Sequence, residues 1–177
     1  MTIMKKLLLS LAVLVLGVLG VAFSRPSTFR VERTAIIPAA PEKVFPLVDD
    51  FHQWGTWSPW EKLDPGMKRT HSGAASGKGA VYSWEGNDQV GAGRMEILED
   101  AAPSRVKIQL DFLRPFEGHN TAEFTLAPEG PGTRVTWAMS GRNTLLGKVI
   151  GLFMSMDRMI GKDFEAGLGN MKVAATR

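Results

Sequence analysis

The order of apolar and polar positions along the chain changes character four times. Residues 7–23 run seventeen positions without a charge. Residues 29–37 then alternate, with Phe29, Val31, Ala35 and Ile37 on one side, and predict a strand that Pro38 ends. Pro41 suits the first turn of a helix, and Glu42 favours its positive dipole end. Val44, Phe45, Leu47 and Val48 give that helix an apolar side, and Pro46 keeps it short or kinked.

From Met67 onward the period falls to two. Ala80, Tyr82 and Trp84 share a face, and residues 93–98 form the next strand, with Met95 and Ile97 inward. Val106, Ile108, Leu110 and Phe112 alternate with polar residues in the clearest strand of all. Residues 116–126 put Phe116, Asn120, Ala122 and Phe124 on one side, and Val135, Trp137 and Met139 share the last strand's inner face. Short strands and tight turns of this kind predict an antiparallel meander with one buried and one wet face. The ending is helical, because Leu145, Val149, Leu152, Phe153, Met156, Ile160, Phe164 and Leu168 form a stripe. It predicts one helix over residues 145–174, near 45 Å at ~1.5 Å per residue. Gly161, Gly167 and Gly169 disfavour an unbroken run. Both apolar faces are satisfied if the sheet wraps around that helix, an α+β architecture.

Composition narrows the classes. The first 24 residues hold two lysines and no other charge, so the net charge of +3 becomes +1 (19 basic against 18 acidic) without them. No nucleic-acid-binding face is expected from so balanced a remainder. The chain has no cysteine, which excludes disulfides, thiolate metal sites and cysteine nucleophiles. The predicted organisation is an N-terminal membrane anchor or signal segment at 1–24, a polar linker at 25–28 and one domain over 29–177. Seventeen residues exceed the ~7–15 of a usual signal core, which favours an uncleaved single-pass transmembrane helix. Cleavage after Ala22, and export, is the alternative. Lys5 and Lys6 favour a cytoplasmic N-terminus while Arg25, Arg30 and Arg33 oppose it; a large following domain translocates despite such charges, so the domain is expected outside the cytoplasm, in a periplasmic or extracytoplasmic setting.

Two motifs carry more than periodicity. One is Pro41-Glu42-x-Val44-Phe45, and the other is Trp54-x-x-Trp57-Ser58-Pro59-Trp60. With Gly79-Ala80-x-Tyr82-x-Trp84-x-Gly86-Asn87 and Thr133-Arg134-Val135-Thr136-Trp137, they resemble the SRPBCC (START/Bet v 1-like) superfamily. Within it the chain looks most like the polyketide cyclase/dehydrase and lipid-transport branch, over residues 29–173. The resemblance implies a helix-grip fold, a curved antiparallel sheet around a long C-terminal helix. It also implies an apolar cavity between them that takes a lipid, polyketide, steroid or similar compound. The N-terminal apolar segment departs from the soluble cyclases of this branch, which weakens a carried-over cyclase activity.

The expected lining is the inward sheet face, with Tyr82, Trp84, Met95, Ile108, Leu110, Asn120 and Trp137. The last helix adds Phe153, Met156 and Ile160, and Met154, Met156 and Met159 would give it an adaptable methionine surface. Trp54, Trp57 and Trp60 either cap one end of the core, line the cavity mouth or meet a bilayer interface; Trp57 and Trp60 are counted with the lining. Tyr82 and Asn120 are its polar members, paired with a ligand oxygen or with a neighbouring backbone group or water. His52, His71 and His119 have no metal-ligand spacing and read as surface residues. No serine sits in a Gly-x-Ser-x-Gly elbow, Gly91-Ala92-Gly93 lacks the helix a phosphate loop needs, and a solvated face accounts for Asp157, Asp163 and Glu165. No cofactor is implied. The function expected is binding of a small hydrophobic ligand. Alternatives are a cyclase or hydrolase in which Tyr82 or Asn120 polarises a carbonyl, and an envelope interaction domain with a filled cavity.

Overall fold

The computed structural model describes residues 3–152 and 155–177, apart from the side chains of Leu146 and Met156. An apolar helix α1 (Ile3–Ser24) leads into strand β1 (Thr28–Ile37). Two four-residue helices, α2 (Pro41–Val44) and α3 (Pro46–Asp49), and two 3-10 turns, Phe51–Thr56 and Pro59–Lys62, precede the rest of the sheet. That sheet continues through β2 (Lys68–Gly73), β3 (Ala80–Glu85), β4 (Ala92–Ala101), β5 (Arg105–Arg114), β6 (Gly118–Glu129) and β7 (Gly132–Arg142). Helices α4 (Leu145–Ile150) and α5 (Met156–Ala174) close the chain.

All seven strands join one antiparallel sheet in the order β1-β7-β6-β5-β4-β3-β2. The meander was legible from the alternation; the docking of β1 on the last strand, Val31 opposite Met139, was not. Two bulges interrupt the β4–β5 ladder, one leaving Leu113 and the other Leu98 without a partner. An extra residue on one strand bends and twists the pair, which curls the sheet around α5. One expected strand boundary moves: β6 begins at Gly118, and Phe116 lies exposed in the turn before it.

The single C-terminal helix becomes two. Gly151 caps α4, and the Ser155 hydroxyl accepts the Arg158 N–H to start α5. A side-chain cap of this kind satisfies a backbone donor that a continuous helix would have bonded internally. The first half, α4, packs against α1 instead of the sheet. Helix α5 has 19 residues, so it spans about 28 Å and not 45 Å. Its backbone runs closest to β1 and touches both 3-10 turns. Arg33 on β1 fastens it there through Asp157 at 2.9 Å and Glu165 at 2.7 Å. Gly167 lets α5 approach closely, since a Cβ there would lie 2.8 Å from the Trp137 ring.

The core fills the space between α5, the short helices and the strands. Trp54 and Trp57 belong to it, buried against Phe124 and Trp137. Their indole N–H groups donate to the carbonyls of Val48 and Leu47, so the tryptophans also pin the end of α3. Thr133 Oγ1, fully buried, donates to Ala39 O at 2.7 Å and ties β7 to the start of α2.

One acid in this region is placed at a cost. Asp49 ends α3, where burial and the charges of Asp100 and Asp50 push its carboxyl up to about 6. A carboxyl with a raised folded value favours the fold only while protonated. That contribution is complete below the ordinary aspartate value of 3.8 and is lost as pH rises through about 6. Asp49→Asn is therefore expected to gain about 1 kcal/mol at neutral pH, the remaining exposure of the group reducing a larger nominal figure. The gain should vanish in acid, and urea midpoints on either side of the transition check it.

Candidate ligand cavity

Because α5 runs closest to β1, the sheet's far half curls over open space instead of over helix. A cavity of about 220 Å³ occupies that space. Its floor is Trp84 on β3, Met95 on β4, Leu110 and Phe112 on β5 and Ala122 on β6. Its other wall is Trp60 from the second 3-10 turn with Ile160, Asp163 and Phe164 from α5. Trp137 stacks on Phe164 with centroids 4.0 Å apart, and Trp60 meets both edge-on. The described side chains leave this space open.

Trp84 is held by geometry on three sides. Its Nε1 donates to Val90 O at 2.9 Å, Phe112 meets it edge-on, and its six-membered ring lies against Gly93, where any Cβ would overlap it. The loop before β4 is thereby tied to the cavity through one indole.

At one end, polar groups form a connected set. Tyr82 Oη donates to Glu61 Oε1 at 2.5 Å, and Arg69 Nε donates to Glu61 Oε2 at 2.6 Å. Arg69 also gives Nη1 to Met67 O and Nη2 to Glu61 O, so all three nitrogens are engaged. The Glu61 side chain keeps 10% of its surface exposed and Arg69 30%, which makes this a half-buried pair with its hydrogen bonds satisfied. Burial, then the bond to Glu61, hold the Tyr82 phenol well above its usual range. Its single proton is committed to Glu61, and what Tyr82 presents elsewhere is an acceptor lone pair. Asp163 lines the cavity with no ion pair or hydrogen bond to its carboxylate among the described residues, and burial raises its pKa.

Of the residues expected to line a pocket, Trp60, Tyr82, Trp84, Met95, Leu110, Trp137 and Ile160 meet around this cavity. Trp57 and Ile108 do not line it; both are fully buried in the core behind it. Asn120 lies outside it, in a shallow depression with Thr28, Gln109 and Ser140. Alternation sets Asn120 on the inner face but not its position along β6, and the cavity's β6 wall is Ala122, two residues on. Phe153 and Met154 lie outside the described residues, as does the Met156 side chain. The expected methionine surface on the last helix fails at Met159, which is 53% exposed; the cavity's methionines are Met67, Met95 and Met139 instead. Asp163 is a correction too, since it faces the cavity while Asp157 and Glu165 bind Arg33.

Glu61 and Asp163 at the cavity, and Arg69 behind Glu61, were not expected from the sequence. No sequence spacing joins positions 61, 69 and 82. Asp163 had a signal, for it stands three residues after Ile160 and one before Phe164, on the stripe itself. A second space of about 480 Å³, more open, lies where α1 meets α4 and includes Arg25, Lys148 and Arg158. Phe29 and Leu152 line it as well, and it lies apart from the polar set described above.

The profile of the polyketide cyclase / dehydrase and lipid transport family matches residues 28–176. The chain belongs to that family. Solved structures share its fold at low identity. A di-domain ARO/CYC protein, BexL from the BE-7585A biosynthetic pathway, aligns with TM-score 0.63 and 20% identity, covering 89% of this chain and 53% of that one. Ginseng major latex-like protein 151 from Panax ginseng aligns with TM-score 0.61 and 12% identity over 86% of this chain and all of that one. Protein CV1439 from Chromobacterium violaceum gives 0.60 and 16%, over 86% and 99%. No curated protein matches. The polyketide cyclase / dehydrase and lipid transport family suggests a hydrophobic ligand in general terms, and identities this low extend only the fold.

Proposed function

We propose that this protein is a binding module for a small hydrophobic molecule, held in the cavity between the sheet and α5. The observation that carries the reading is the open space itself, walled by Trp60, Trp84, Phe112, Trp137 and Phe164. Well-packed interiors rarely keep voids larger than a water molecule. An apolar cavity of about 150 Å³ already takes up benzene, and drug-sized sites begin near 300 Å³. At about 220 Å³ the occupant is a one- or two-ring compound or the end of a chain.

The cyclase alternative draws less support. Its proposed electrophile, the Tyr82 hydroxyl, already donates to Glu61, and Asn120 is outside the cavity. Helix α1, the one described helix long and apolar enough to cross a bilayer, is compatible with attachment to a membrane or with a signal segment. At 22 residues its length is about 33 Å, against a hydrocarbon core of about 30 Å.

The test is calorimetric titration of the full chain in phosphatidylcholine nanodiscs with 1-naphthalenemethanol, subtracting empty discs. Saturable binding that Leu110→Trp abolishes by filling the cavity supports the reading. Absence of binding in the parent chain would end it.

A further inference from the structure

The charge of the cavity lining is one-sided. Among the described residues Glu61 and Asp163 are its only carboxylates, and no lysine, arginine or histidine lines it. Glu61 is already compensated, because Arg69 pairs with it from behind. Asp163 is not; among the described residues nothing pairs with its carboxylate. Asp163 is half-buried, so water solvates part of its carboxylate, but a cation beside it in the cavity gains Coulomb attraction that a neutral ligand does not.

The walls suit the same occupant. Trp60 and Trp84 border the space, and indole faces attract a desolvated ammonium more strongly than other aromatic rings do, whereas both faces of Trp137 are taken by Phe124 and Phe164. Tyr82, its proton committed to Glu61, adds an acceptor for an N–H donor. An anionic ligand would meet the reverse: a second negative charge in a low-dielectric space with no cation in the lining.

Resting on the reading of this cavity as a ligand site, we infer that its ligand is a small apolar amine. The protonated nitrogen pairs with Asp163, and the hydrocarbon part lies among the tryptophans. Free carboxylic acids such as fatty acids are excluded by the same charge.

Three compounds of one skeleton test this: 1-naphthylmethylamine, 1-naphthalenemethanol and 1-naphthoate, titrated at neutral pH into the full chain in zwitterionic nanodiscs with empty discs subtracted. The expected order is amine tightest, alcohol at least tenfold weaker, and carboxylate weakest. Asp163→Asn is expected to collapse the preference for amine over alcohol to under threefold, and Asp163→Glu to retain it. A carboxylate that binds as well as the amine overturns the inference while leaving the cavity a hydrophobic-ligand site. A ranking that survives Asp163→Asn also overturns it. If none of the three binds, the ligand-site reading falls and the amine with it. Should Asp163→Asn fail to fold, the parent chain's ranking and Asp163→Glu decide the matter.

Discussion

Trp57→Ala is expected to leave the domain barely folded. The side chain is fully buried and touches Trp54, Phe124 and Trp137 at ring-centroid distances of 4.8, 5.9 and 5.3 Å. Removing a buried tryptophan of this kind costs about 3–5 kcal/mol through lost transfer energy and the cavity left behind. The change also removes the donor to Leu47 O, a bond of 2.7 Å that holds the end of α3. An orphaned buried carbonyl adds about 1–3 kcal/mol. The sum is comparable with the roughly 5–15 kcal/mol that holds a typical domain together. Guanidinium unfolding should show the midpoint displaced to very low denaturant. Trp60→Ala is the contrast: its ring is a partly exposed cavity wall, so stability should fall much less while ligand binding suffers more.

Gly93→Ala should reshape the cavity with one methyl group. The new Cβ would overlap the Trp84 ring and lie 2.5 Å from Asp111 O. The indole must move, and the Asp111 carbonyl on the paired strand must give way as well. Trp84 would leave the cavity floor, and its bond to Val90 O would break with it. Overpacking at such a site costs about 1–3 kcal/mol. The larger effect is functional: binding of 1-naphthalenemethanol should weaken at least tenfold. A crystal structure with the Trp84 ring unmoved would refute the argument.

How far the sequence carried depended on whether an interaction was local. Alternation placed Val106, Ile108, Leu110 and Phe112 on one face because strand period is a property of neighbours. The Pro41 start of α2 was legible for the same reason, and Pro46, expected to shorten or kink that helix, divides α2 from α3. The break between α4 and α5 was not, since the apolar stripe runs straight across it. What separates them is a cap at Ser155 and a different packing partner, α1, for the first half. The site divides the same way. Tyr82, Trp84 and Trp137 meet at the cavity, whereas Asn120 and Ile108 lie away from it, because period gives the side of a strand and not the depth along it. The partnership of Glu61, Arg69 and Tyr82 depends on how a 3-10 turn lies across two strands, which no spacing encodes.

The pairing of the first strand with the last has a consequence for how the chain is made. Thr28 lies opposite Arg142, so β1 has no partner until nearly the whole sheet has been synthesised. Through that interval Val31 and Ile37 are exposed on an open edge directly behind the apolar α1. Contacts of such sequence separation close late and slowly, and unpaired edges invite aggregation meanwhile. Tethering at α1 would keep this edge at a membrane, away from other copies in bulk solution, until β7 arrives to cover it.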